Sequence, residues 1–305
     1  MFLIFIGLAF IFEPKIILEA RVGGSANCVG FERDGKSLIA LSANGGYAFS
    51  FPLPNGKGTQ LNRVAGRNRA CSYNRATKLL LIAHEDAQST GKMIIDTQHI
   101  GSADPVKSLD VTGSNVLPQH DGDRVAVTNK KGTTIYRSET FTPIVTWPVQ
   151  LLALAIDHEL AAAFDGKNIS IMAFPSGKVL RTFPFQGDIY PGLAFSERNH
   201  MIVSIGSYSG LVAINSQTGK LIWQIKNASA TSALVISPNR KMLAYGTMNG
   251  AFNVVRLANG KPIGGGSSSE GGSIYPTLGV DWSPDSRYVA AGFNTGEVKV
   301  WDMGR

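Results

Sequence analysis

The stretch VDWSPDSRYVAAGFNTGEVKVWD, Val280–Asp302, holds the unit on which the reading of the whole chain turns. An apolar anchor, Trp282, is followed by a polar turn with Pro284 and Asp285, and an apolar strand begins at Val289, seven residues after the anchor. Further on, Val298-Lys299-Val300-Trp301 alternates with the period of two that marks a half-buried strand.

The same unit recurs along the chain: Phe31 to Leu38, Tyr73 to Leu80, Phe195 to Ile202 and Ile236 to Leu243. Two weaker copies fill the gap, near Leu117 (to Val125) and at Ile156 (to Leu160, with a shortened turn). The seven anchors stand 42, 44, 39, 39, 41 and 46 residues apart. Tight turns follow at Asn44-Gly45, Asp165-Gly166, Ser209-Gly210 and Asn249-Gly250, residue types that tolerate the positive φ of a two-residue hairpin. An alternating strand comes next, then Gly-Lys and a fourth strand, at Gly56-Lys57, Gly177-Lys178, Gly219-Lys220 and Gly260-Lys261. Four strands repeated every 39–46 residues predict an all-β fold, a β-propeller of seven four-stranded antiparallel blades.

Val280-Asp281-Trp282-Ser283-Pro284-Asp285 and the closing Val300-Trp301-Asp302 resemble the WD40-repeat family, and the resemblance spans about residues 15–305. The match is degenerate. A single Trp-Asp dipeptide is present and no Gly-His dipeptide starts a blade, so the buried His–Asp–Ser/Thr–Trp network of that family has no counterpart here. Blade five, Gly210–Asn215 through Thr218–Trp223, is instead similar to PQQ-type, quinoprotein-like propeller repeats. Both resemblances imply the same blade. The first implies a non-enzymatic scaffold for protein–protein interaction. The alternative is an extracytoplasmic quinoprotein-like propeller, as assembly factor or dehydrogenase-type enzyme; such enzymes use eight blades, a calcium site and an adjacent cysteine pair, and this chain has no Cys-Cys.

The ends predict ring closure. The last blade stops after its third strand at Trp301-Asp302, and Lys15–Val22 has the pattern of the missing fourth, which would cover an otherwise exposed sheet edge. The propeller therefore spans 15–305, and residues 1–14 form an apolar leader ending at Glu13-Pro14. Met1–Phe12 is too short to cross a bilayer and lacks a basic flank, which leaves export or membrane association against a cytoplasmic protein with an apolar leader. Gly264–Ser273 has no apolar residue and reads as a flexible loop between blades six and seven.

Hydrophobic residues make up 44% of the chain and charged ones 17%, enough to build a core and to exclude wholesale disorder. Cys28 and Cys71 face opposite ways in the repeat register, so no disulfide is expected. Neither CxxC, HExxH, a serine elbow nor a phosphate loop occurs, and turn histidines His120, His158 and His200 read as surface residues; no metal site, cofactor or catalytic residue is expected. Charge gives the one partner signal. From Gly35 to His84 there are seven bases and no acid, equal to the net +7. Arg63, Arg67 and Arg69 fall in the connection from blade one to blade two, with Arg75 in the next turn. As partner-binding residues they suit a carboxylate or phosphate, hence an acidic protein or an anionic membrane surface, in preference to nucleic acid.

Overall fold

The computed structural model describes residues 14–43, 46–63, 68–86, 92–102, 104–112, 115–119, 122–185, 192–206, 210–226, 228–269 and 276–304. Among these, 28 strands form seven four-stranded antiparallel sheets, and each sheet is a blade. The first strand, β1 (Lys15–Arg21), belongs to the last blade. Blade one is β2 (Ala26–Phe31), β3 (Ser37–Ser42), β4 (Tyr47–Pro52) and β5 (Thr59–Arg63); blade two is β6 (Asn68–Asn74), β7 (Leu79–Glu85), β8 (Lys92–His99) and β9 (Lys107–Thr112). Blade three is β10 (Asn115–Pro118), β11 (Arg124–Asn129), β12 (Gly132–Arg137) and β13 (Pro143–Trp147); blade four is β14 (Ala153–Asp157), β15 (Leu160–Phe164), β16 (Asn168–Ala173) and β17 (Val179–Pro184). Blade five is β18 (Leu193–Ser196), β19 (Met201–Gly206), β20 (Gly210–Asn215) and β21 (Leu221–Ile225); blade six is β22 (Ala230–Ile236), β23 (Met242–Thr247), β24 (Ala251–Arg256) and β25 (Pro262–Ser267). Blade seven is β26 (Thr277–Trp282), β27 (Tyr288–Phe293), β28 (Glu297–Asp302) and, on its outside, β1.

β1 closes the ring as expected, pairing antiparallel with β28 from Lys15–Asp302 to Arg21–Glu297 and burying Leu18. The anchors pair with the predicted residues at Phe31–Leu38, Tyr73–Leu80, Phe195–Ile202, Ile236–Leu243 and Trp282–Val289. The two weak copies shift by one: Leu117 pairs with Ala126 and Pro118 with Val125, while Ile156 pairs with Ala161 and Asp157 with Leu160. Their turns differ in length, and turn length sets hairpin register. In the full-length turns the Ser-Pro motif bonds itself shut. Ser283 Oγ donates to Asp285 (2.6 Å) and accepts from Tyr288 N (2.8 Å), and Ser237 repeats this with Asn239 (2.8 Å) and Met242 N (3.0 Å).

Seven apolar clusters make the core, each between successive blades, for example Phe31, Leu38 and Ala40 against Ala290, Val298 and Val300 where blade seven meets blade one. A middle strand thus has a neighbour on both faces, which is why Leu79–Ala83 is a continuous apolar run, every residue buried. The Gly-Lys repeat has a tertiary cause. Gly177, Gly219 and Gly260 take φ of +72°, +70° and +67°, and an added Cβ would lie 2.5 Å from Trp147, 2.3 Å from Phe183 and 2.9 Å from Trp223, aromatics on the outermost strand of the preceding blade.

The loop expected at Gly264–Ser273 is partly a strand. Residues 264–267 belong to β25 and pair with β24, and residues 270–273 lie outside the described residues. Glycine suits this strand because a Cβ at Gly266 would sit 2.6 Å from the Trp301 ring of blade seven. Cys28 and Cys71 are free thiols, as expected. They do face opposite ways within their blades, and that turns Cys28 toward blade two and Cys71 toward blade one, so both join one cluster as free thiols. A hydrogen bond with Cys28, then burial, pushes the Cys71 thiol well above its usual range.

Candidate functional site

Antiparallel order puts the first and third turns of every blade on one side of the disc, here the turn face, and the second turns with the blade-to-blade connections on the other, the connection face. The innermost strands enclose a central channel of about 750 Å³. Its mouth on the turn face is tied by two clamps of the same design. Asp281 of β26 accepts Phe31 N of blade one at 2.8 Å and Arg75 Nη2 of blade two at 2.5 and 2.6 Å, and Arg75 also donates to Trp282 O at 2.7 Å. Four blades further round, Asp157 of β14 accepts Glu197 N of blade five at 2.8 Å and Arg240 of blade six at 2.6 and 2.9 Å. In both, a carboxylate on one blade takes a backbone N–H from the next and a guanidinium from the one after.

Between the clamps, Gln119 of blade three accepts Ile156 N (3.1 Å) and donates to Leu154 O (3.3 Å) of blade four, and Asn239 N of blade six donates to Ser286 Oγ of blade seven (3.0 Å). Arg240 occupies the positive-φ position of its first turn (+59°), as His200 (+49°) and Ser286 (+63°) do in the neighbouring blades. The mouth is therefore a braced ring, a rigid frame for the turns standing on it. Beside the Asp157 clamp, Arg240, His158, Glu159, Glu197, Arg198 and His200 line a shallow depression. Among the described residues no group of three or more His, Cys, Asp or Glu side chains is placed to share a metal ion.

The four sequence-picked arginines do not form one patch. Arg63 is the last residue of β5 and Arg69 the second of β6, so both are strand positions and not loop; Arg67 lies outside the described residues. These positions belong to the connection face. Arg75 is at the opposite end of β6, about 20 Å away at ~3.3 Å per residue, on the turn face. With its side chain 25% exposed and fixed to a carboxylate only 3% exposed, Arg75 is a structural brace. Nothing in the repeat pattern pairs positions 206 residues apart, so this contact could not be read from sequence.

His158 and His200 lie in first turns of the turn face, as expected, and His120 lies outside the described residues. The sequence reading passed over His84. Buried in blade two, it bonds Asp96 at 2.9 Å, and Asp96 also accepts Ser108 Oγ at 2.6 Å. The hydrogen bond to Asp96 holds the imidazole above its usual value; burial raises the Asp96 carboxyl, but the bonds from His84 and Ser108 outweigh it and hold it below.

The chain is a seven-bladed, all-β propeller whose turn-face mouth is a structural frame. A search of curated proteins finds COMPASS component SWD1 of Saccharomyces cerevisiae, 30% identical over 86 residues, 28% of this chain and 20% of that protein. The match thus spans about a fifth of that relative's length, and no family model matches the chain. The seven-bladed architecture and this match are in keeping with the resemblance of the repeats to WD40 propellers.

Proposed function

We propose that the chain is a non-enzymatic scaffold subunit that holds an acidic protein partner on its connection face, through Arg63, Arg67 and Arg69. The observation that carries this is the run from Gly35 to His84, with seven bases and no acid, three of them packed into residues 63–69. The end of β5 and the start of β6 belong to the connection face, which favours a common partner for positions 63 and 69. Isolated surface charges contribute only ~0–1 kcal/mol to folding, so stability gives little reason to gather them, whereas a local positive field speeds encounter with an acidic surface. The name of the matched protein describes a component of an assembly, in keeping with a scaffold role.

The test is capture of partners by the intact chain with identification by mass spectrometry, repeated with Arg63→Ala, Arg67→Ala and Arg69→Ala combined. The triple variant keeps the wild-type melting temperature and loses acidic partners at low salt. Unchanged recovery, together with wild-type capture indifferent to salt, would overturn the proposal.

A further inference from the structure

Eight large apolar side chains are exposed among the described residues, and six of them, Ile16, Val106, Val179, Leu180, Leu221 and Ile222, sit at or directly before the start of an outermost strand. Their exposures run from 39% for Ile222 to 58% for Leu221, high for residues that ordinarily seek the interior. Five of the six belong to blades four, five and seven. The corner is amphipathic in each: Lys178 precedes Val179-Leu180, Lys220 precedes Leu221-Ile222, Lys15 precedes Ile16, and in blade six Lys261 precedes Pro262-Ile263, all four lysines being exposed. Because blades repeat, these corners occupy one height on the rim of the turn face, so a flat surface can touch them together.

Charge on this sector has one sign over a long span. From Arg198 to Ser269, blades five and six, there are seven bases and no acid, a second acid-free run hidden within a remainder whose net charge is zero. Arg198, Lys241 and Arg256 add exposed cations to the same face. On the turn face the acids of the sector are Glu159 and Glu197 beside the depression, Asp157 held by Arg240, and the exposed Asp285 in the first turn of blade seven. Exposed Glu19 lies midway along β1 beside Lys299, and exposed Asp165 lies in a second turn, on the connection face. Asp302, at the blade-seven corner, is held by Arg287 at 2.6 Å. Exposed acids such as Asp34, Asp104 and Glu139 belong to blades one to three. The direction of β1 adds an independent observation. β1 starts at the turn face, at the blade-seven corner, and the apolar sequence Met1–Phe12 precedes it in the chain.

We propose that the turn-face rim of blades four to seven is a membrane-docking surface, seating the disc on anionic lipid. Protruding apolar side chains ringed by lysine suit an interface in which the hydrocarbon boundary takes the apolar groups and headgroups take the cations. Docked this way, the disc leaves its connection face free for protein.

The test is co-sedimentation of the full chain with vesicles of phosphatidylcholine alone or with about a third phosphatidylserine. The chain binds the anionic vesicles, less as salt rises, and not the neutral ones. The combined variant V179S/L180S/L221S/I222S binds at least about tenfold more weakly with an unchanged melting temperature. M248S, which removes an exposed apolar side chain from the connection face, binds as wild type does. Failure of the wild type to bind anionic vesicles, or equal binding by the fourfold serine variant, overturns the proposal. Tighter capture by soluble polyglutamate than by the vesicles also overturns it, and assigns the rim to an acidic protein.

Discussion

Replacing Arg75 by alanine is expected to destabilise the fold and to leave partner capture intact. The substitution strands the Asp281 carboxylate, 3% exposed, with the loss of a guanidinium at 2.5–2.6 Å, and removes a donor to Trp282 O. Removing one member of a fully buried ion pair costs about 3–5 kcal/mol. Arg75 is itself 25% exposed, so water can enter behind the truncated side chain and reduce this to about 2–4 kcal/mol. With an unfolding entropy of about 2.1 cal/mol/K per residue, the 305-residue chain loses about 0.6 kcal/mol per degree, and the melting temperature falls by about 3–6 °C. Circular dichroism melts at constant protein concentration measure this, alongside Asp281→Asn and the double variant, whose effect should be less than the sum because the two singles break one contact. An Arg75→Ala protein melting within a degree of wild type, with weakened capture of acidic partners, would refute the bracing role and return Arg75 to the partner site.

Deleting residues 1–22 removes β1, exposes the edge of β28 and strips Leu18 and Val22 from the blade-seven interface, so unfolding should become non-cooperative or give way to aggregation; a cooperative melt within a few degrees of wild type would contradict ring closure. Removing only residues 1–12 should leave the melting temperature unchanged. Gly219→Ala puts a Cβ 2.3 Å from Phe183 at a φ of +70° and should cost at least about 2 kcal/mol in urea unfolding, whereas Gly23→Ala, with nothing within 4 Å, should cost well under half that. For His84 and Asp96 the sign follows from the two shifts. The raised imidazole stabilises below its unfolded value of about 6.5 and stops doing so as pH climbs through its folded value, and the lowered carboxyl stabilises above about 3.8 until pH falls through its own. The melting-temperature gap between wild type and Asp96→Asn should therefore be widest near pH 5–6 and narrow by pH 9, and a gap independent of pH would show that the imidazole is not charged in the pair.

Blade number, four-stranded blades and closure by Lys15–Arg21 were legible in the sequence because each is a local pattern repeated: anchor, turn, apolar strand, Gly-Lys. Periodicity and turn chemistry are properties of neighbouring residues, and repetition makes even weak signals add. Contacts between blades were not legible, because they join positions with no fixed spacing. Asp281 reaches Arg75 across 206 residues, and the glycine of a Gly-Lys turn is required by an aromatic ring of the blade before it. Cys28 and Cys71 were legible as free thiols but their meeting was not, because opposite facing within a blade brings the two side chains together across an interface. Charge showed this most clearly. Sequence grouped Arg63, Arg67, Arg69 and Arg75 because they are close along the chain, but a strand about 20 Å long carries the last of them to the other face. Conversely, only the ring puts Lys15 opposite Asp302 and gathers the exposed apolar corners of distant strands onto one rim, since a propeller sorts residues by their height on a strand and not by their order in the chain.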